Sequence, residues 1–300
     1  MRIGIDLGGT KIEILAIDDC GRELHRERVA TPAGDYAATI ASVAGLVQRC
    51  EQTLGARATV GVAIPGSRSP ATGLIRNANS VVLNGRDLGA DLTRALGRET
   101  RLANDANCFA ISEATDGAAA GAASVFGVIL GTGCGGALVV NGRILDGANG
   151  IAGEWGHNRL AAAAADEFPG PACWCSRHGC LETWLSGPGL LADHRRRGGH
   201  APDARAVVEA MRAGDPLARE TLRSWADRLA RGLAMVINIF DPEVIVLGGG
   251  LSQIDEVYHW VPGLWGAHVF ADRIETRLLR NRHGDSSGVR GAAWLWPLPA

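Results

Sequence analysis

The stretch IGIDLGGTKIEILAI, residues 3–17, limits the possible folds more than any other part of the chain. β-Branched residues flank a glycine pair on both sides, so Ile3 to Asp6 and Lys11 to Ile17 are expected as strands joined by a tight turn. Residues 125–140, VFGVILGTGCGGALVV, repeat that layout. Two such hairpins, one in each half of 300 residues, predict an α/β protein of two duplicated lobes with room for a cleft. The small-residue stretch DGAAAGAAS sets the expected boundary at residue 117, giving lobes 1–117 and 118–300. A last helix at about 286–297 is expected to pack back on the first lobe.

Between the hairpins, Tyr36, Ile40, Val43, Val47, Cys50 and Leu54 recur at helical spacing, and ATVGVAIPG reads as a buried strand ended by Pro65 and Gly66. Later, AMVINIFDPEVIVLGGGLSQID reads as the end of a helix, a turn at Asp241 and Pro242, a buried strand and a glycine run. Ser252 and Asp255 have the spacing of a helix N-cap box. The alanine tract Ala161 to Ala165, with the EFPGP that follows it, is expected as a surface insertion.

Charge is nearly balanced, 30 basic against 32 acidic residues, and aromatics make up 5%. Neither nucleic acid nor an anionic membrane is an expected partner, which leaves a small soluble ligand. An acid at position 6 does not suit a signal peptide, and no apolar run reaches spanning length, so a cytoplasmic location is expected. In that compartment the seven cysteines should be reduced, which favours metal binding or catalysis over a disulfide framework.

Gly131 to Gly136 matches G-x-G-x-x-G, the dinucleotide fingerprint, but that motif needs a helix to follow. The residues that follow, ALVVNGRIL, are of β type, and no P-loop pattern occurs anywhere in the chain. What remains is a pair of glycine turns, Gly8, Gly9 and Thr10 before Lys11, and Gly131, Thr132, Gly133, Cys134, Gly135 and Gly136. Their backbone N–H groups could clamp a triphosphate. Asp6, ending a buried strand beside the first turn, is suited to hydrated Mg2+. Gly248, Gly249 and Gly250 could pass close to the adenosine part of a nucleotide or serve close strand-to-helix packing. In RLANDANCFAISEA a strand ends at Asn104 and Asp105 and a helix begins; Asp105 is either the helix cap or a base that accepts the proton of an attacking hydroxyl.

IGIDLGGTK, ANDAN, GTGCGGA, GEWGHN, CWCSRHGCLE and VIVLGGG together, in order and across nearly the whole chain, resemble the ROK family of sugar kinases. The resemblance implies a two-lobed actin/hexokinase-like (ribonuclease H-like) ATPase fold with a central cleft. It also implies ATP-dependent phosphorylation of a hexose at its 6-hydroxyl. NANSVVLNG and the C-terminal stretch look most like fructokinases that also accept mannose, with glucose or an N-acetylhexosamine as the alternative acceptor. Asp105 would be the general base, with Asn104, Glu154, His157 and Glu182, and more weakly Gly66 and Asn79, contacting sugar hydroxyls. Closure of the lobes would exclude water. The family suggests a homodimer. Its repressors carry a preceding DNA-binding segment, whereas this chain opens on the first strand, which favours the kinase. A sugar sensor without turnover is a second class, disfavoured because Asp105 and both glycine turns occur together. A nicotinamide enzyme is a third.

Three of the cysteines, Cys173, Cys175 and Cys180, lie within eight residues and supply three ligands of the four a structural zinc prefers. His178 lies inside the loop between two of them. His157 is the better fourth ligand, and the family pattern supports it. The family has glycine where this chain has Ser176, and a positive φ there would strain the loop.

Overall fold

The glycine turn after Leu7 reverses the chain in the computed structural model, which describes residues 1–78 and 80–296. Strands β1 (Arg2–Leu7) and β2 (Lys11–Ile17) pair antiparallel, with Arg2 opposite Ile17 and Leu7 opposite Ile12. β3 (Glu23–Ala30) extends this edge. Helix α1 (Tyr36–Leu54) is capped by the Asp35 side chain, which accepts from the Ala38 amide, and stops at Gly55 in the left-handed region. It presses Val43, Leu46 and Val47 onto Ile3, Ile5 and Ile12. β4 (Thr59–Ile64) then joins β1 in parallel. A hairpin of β5 (Ser67–Arg68) and β6 (Ile75–Arg76) and helix α2 (Leu88–Leu96) lead to β7 (Thr100–Asn104), parallel to β4. The sheet order is β3-β2-β1-β4-β7, and α3 (Asp105–Thr115) starts directly at the end of β7.

β8 (Ser124–Leu130) and β9 (Cys134–Val140) form the second antiparallel hairpin, and β10 (Arg143–Ile144) follows. Beyond them come α4 (Glu182–Leu185), α5 (Gly187–Arg196), α6 (Ala204–Arg212) and the 25-residue α7 (Pro216–Phe240). α7 ends at Asp241 in the left-handed region just before Pro242, where the sequence placed a turn. β11 (Val244–Gly248) pairs in parallel with β8, and β12 (Arg277–Arg280) pairs in parallel with β11. The run β9-β8-β11-β12 thus has the same strand directions as β2-β1-β4-β7: one antiparallel pairing, then two parallel ones. Trp225 of α7 is the largest fully buried side chain, and its indole donates to the Leu185 carbonyl at 3.1 Å.

Ser252 and Asp255 do not form the expected cap. Ser252 Oγ donates to the Gly249 carbonyl at 2.7 Å and Asp255 lies 3.5 Å from Arg212. α8 (Val257–Leu264) begins two residues later without a side-chain cap. Nor is the segment after the alanine tract a simple surface insertion. Glu167 is buried, with Arg228 at 2.7 Å and Arg231 at 2.9 Å on its two oxygens. Burial opposes its charge, but hydrogen bonds from Arg231, the Ala164 amide and Arg228 outweigh that and hold its carboxyl down at about 2.

The last helix, α9 (Ser287–Trp294), is shorter than the expected 286–297 and packs on β1, β4 and α3. Glycines make this possible. Gly4 and Gly61 are paired in register, and a Cβ on either would lie 1.9 Å from a carbonyl oxygen of α9, Val289 for the first and Ala292 for the second. A Cβ on Gly291 would meet the Cys108 carbonyl of α3 at 1.7 Å. Trp294 is buried beneath Arg2, and Trp296 donates to the Val60 carbonyl at 2.8 Å.

The chain divides into two units. One comprises Met1–Gly121, Gly142–Ala152 and Arg282 onward, and the other Ala122–Asn141 and Gly153–Asn281. The boundary expected at 117 therefore falls at Gly121. Segment 142–152, expected in the second lobe, belongs to the first unit, as does 282–296, whose helix was expected to pack back on the first lobe. Among the described residues no helix is long and apolar enough to cross a membrane.

Candidate functional site

In the first unit, Asp6 is the penultimate residue of β1 and Asn104 the last of β7, one strand apart in the sheet. Asn104 caps α3, and both Asn104 Oδ1 and Asp105 Oδ1 accept from the Ala106 amide at 2.8 Å. Asn104 Nδ2 donates to the Gly66 carbonyl at 2.9 Å, so three of the sequence-chosen residues form one connected group. Gly66 has φ +88° and a Cβ there would meet the Arg76 carbonyl at 2.5 Å, which makes its role one of backbone shape. Asn79 lies outside the described residues.

Asp105 is exposed on one side, yet the protein around the rest of it pushes its pKa up, against hydrogen bonds from the Ala106 amide and Asn104 that pull it down. Desolvation, aided by repulsion from Asp105 and Glu13, pushes Asp6 up to about 6, with Lys11 and Arg28 opposing. A carboxylate at a strand end, lacking a cation within ion-pair distance among the described residues, has the donor chemistry for Mg2+. Glu13, which sequence reasoning passed over, is buried two residues past the glycine turn. It gathers Arg26 and Arg28, each at 2.8 Å, and Lys11 at 3.9 Å. The turn itself, Gly9, Thr10 and Lys11, is exposed, while the Gly8 amide is already bonded to the Lys11 carbonyl at 3.0 Å.

In the second unit the glycine hairpin is less open than its sequence suggests. The Gly131 amide donates to the Gly133 carbonyl at 3.0 Å and the Cys134 amide to Glu182 Oε2 at 3.1 Å. Gly135 and Gly136 belong to β9, opposite Ile129 and Val128. A Cβ on Gly136 would lie 2.7 Å from Trp155, so this glycine serves packing. The free amides at the tip are those of Thr132 and Gly133. Of the later run, Gly248 ends β11, and Gly249 (φ +78°) lies against Leu130, where a Cβ would be 2.5 Å from its carbonyl. Only Gly250 opens onto a cavity of about 760 Å3, shared with Thr132 and walled by Leu191, Val208, Leu251 and Ile254. α5 and α6 supply much of that wall. Sequence reasoning missed these residues because an amphipathic helix facing a cavity reads like one facing a core.

The cysteine-rich loop closes on itself. Residues 158–160 run antiparallel to 179–181, with the Leu160 amide bonded to the Gly179 carbonyl and the Leu181 amide to the Asn158 carbonyl. This brings His157 to Cys180. The ligand atoms of His157, Cys173, Cys175 and Cys180 all lie within 4.8 Å of one another, with Cys173 Sγ 3.6 Å from His157 Nδ1 and Cys175 Sγ 3.6 Å from Cys180 Sγ. A tetrahedral zinc with Zn–S bonds of about 2.3 Å has ligand-to-ligand edges of about 3.8 Å, so the four atoms fit that ion. Burial works against ionisation of Cys175, but hydrogen bonds from Arg177, Cys173 and Cys180 outweigh it and bring the thiol down to about 6. Ser176 has φ +68°, the strained conformation the sequence warned of, at a cost of about 1–2 kcal/mol relative to glycine. Glu154 is exposed at the start of the Trp155–His157 turn, and Glu182 opens α4.

A model of the ROK family matches residues 2–298. The N-acetyl-D-glucosamine kinase of Vibrio cholerae is 40% identical over 299 residues, covering 98% of this chain and 99% of its own. Among solved structures, the ROK hexokinase of Thermus thermophilus superposes with a TM-score of 0.87 at 33% identity, covering 98% of this chain and 96% of its own. A ROK glucokinase of Streptomyces griseus, solved with glucose and AMPPNP, has a TM-score of 0.76 at 27% identity over 98% of each chain.

Proposed function

The chain belongs to the ROK family, and from that premise we propose that it is an ATP-dependent kinase transferring a phosphoryl group to the 6-hydroxyl of N-acetyl-D-glucosamine. The observation that carries the acceptor is the 40% identity, over essentially both full lengths, to the N-acetyl-D-glucosamine kinase of Vibrio cholerae. It favours the N-acetylhexosamine alternative over fructose, the acceptor that the motifs alone suggested.

Asp105 is the group to accept the proton of the 6-hydroxyl as its oxygen attacks the γ-phosphorus. Burial raises its pKa, which makes its carboxylate a stronger proton acceptor than that of an ordinary aspartate. Asn104, tied to Gly66, holds the start of α3 and with it the orientation of Asp105. The exposed Gly9–Thr10–Lys11 turn and the Thr132 and Gly133 amides are the groups proposed for the phosphates, and the cavity walled by Leu191, Val208, Leu251 and Ile254 suits a nucleoside. Asp6 would hold Mg2+, whose charge offsets that of the phosphates. His157, Cys173, Cys175 and Cys180 would hold a structural zinc, fixing the segments that carry Glu154 and Glu182, the proposed sugar contacts.

Asp105→Asn tests the base. The variant keeps the shape of the side chain, so N-acetyl-D-glucosamine should bind with a Kd within about threefold of wild type while kcat falls by about 1,000-fold or more. Turnover within tenfold of wild type would remove Asp105 from the mechanism.

A further inference from the structure

Trp174 is 72% exposed, an unfavourable place for an indole unless the ring is in use. Its Nε1 donates to Glu182 Oε1 at 2.7 Å, a short bond to a carboxylate. The other oxygen of Glu182 accepts from the Cys134 amide of the second glycine hairpin at 3.1 Å. The indole also meets the His157 ring edge to face, with centroids 4.9 Å apart and planes at 86°. In the chain it stands between Cys173 and Cys175, both in the four-residue ligand group. One exposed side chain therefore joins the cysteine loop to a carboxylate that is itself fastened to the glycine hairpin.

We propose that Trp174 is a positioning residue for acceptor binding. Its indole N–H and the Cys134 amide each restrain one oxygen of Glu182, so the carboxylate meets the sugar in a single orientation. A free glutamate on the short helix α4 would have several rotamers to give up when a sugar hydroxyl docks, and the two bonds remove that freedom beforehand. Each carboxylate oxygen can accept more than one hydrogen bond, so Oε1 keeps capacity for the sugar. The same pair of bonds ties the hairpin at Cys134 to the loop that carries the cysteines. This inference rests on the reading of Glu182 as a sugar contact. The bland reading, in which the ring only shields His157, requires the ring and not the N–H.

Trp174→Phe separates these readings, because it keeps an aromatic ring beside His157 and deletes the donor. Three measurements on the purified variant decide the matter: zinc content, hydrogen exchange of the peptide containing residues 131–136 without ligands, and the Kd for N-acetyl-D-glucosamine by calorimetry. The expected result is unchanged zinc content, faster exchange in 131–136, and a Kd raised about five- to tenfold, with kcat at saturating sugar within about twofold of wild type. Wild-type exchange and Kd at full zinc content would overturn the proposal. So would loss of zinc, since Trp174 would then act by retaining the metal. Glu182→Ala serves as the second arm. If it quickens exchange in 131–136 but leaves the Kd for the sugar unchanged, Glu182 is no sugar contact, and the acceptor role of Trp174 falls with it. If it weakens the sugar while Trp174→Phe does not, Glu182 stands and the inference about Trp174 fails.

Discussion

Asp6 carries a proton more readily than an ordinary aspartate, with a pKa of about 6 against 3.8, because burial and the nearby carboxylates Asp105 and Glu13 disfavour its charge. The raised value fixes the sign of its effect. Relative to the unfolded chain, the folded state gains from this proton below about pH 4 and loses that gain as pH rises through about 6. Without Mg2+, Asp6→Asn should therefore stabilise the protein at pH 7.5 by about 1–3 kcal/mol and have little effect at pH 4. Thermal midpoints at the two pH values check this, and equal shifts at both would contradict it. The same proton competes with Mg2+, so the Mg2+ concentration needed for half-maximal rate should rise as pH falls from 7.5 toward 6. Asp6 and Asp105 were legible because each lies at the end of a strand pattern, Asp6 just before the glycine turn and Asp105 at the first position of the helix that follows β7. Glu13 and Trp174 were not, since nothing in local pattern tells which side chains meet across distant segments. Ser176 was legible as a departure from glycine, and its φ of +68° is the strain that departure implied.

At the scale of elements, the hairpins could be read because β-branched runs around glycines leave few alternatives, and both lie within a residue or two of the expected positions. The glycines themselves were harder to assign. Gly136 and Gly249 admit close packing rather than a ligand, and the phosphate reading contracts to Thr132, Gly133 and the exposed turn before Lys11. Gly4 and Gly61 carried no signal at all, sitting inside strands as if by default. They form the slot for α9. Gly61→Ala should push α9 off β4 and destabilise the protein by about 1–3 kcal/mol, read as a lower denaturant midpoint with unchanged slope. A midpoint equal to wild type would mean that α9 does not lie on this strand.

At the scale of the whole molecule, a single boundary drawn through the sequence could not reveal that segment 142–152 returns to the first unit, although the last helix was expected to pack back on it. Residues 282–296 complete the first unit, with Ser287 bonding Glu113 of α3 at 2.9 Å. The two units repeat one strand layout, which explains why the glycine hairpins recur at corresponding places in the sequence. What the motifs could not set was the acceptor, because the groups read from them, carboxylates and asparagines, bind hydroxyls that most hexoses share. The most direct test of the account is the initial rate of ADP release with ATP, Mg2+ and, in turn, N-acetyl-D-glucosamine, fructose, glucose and mannose. The account predicts the highest kcat/KM for N-acetyl-D-glucosamine, about tenfold or more above fructose. A kcat/KM for fructose above that for N-acetyl-D-glucosamine would contradict the acceptor, and sugar binding without ADP release from any of them would contradict the kinase.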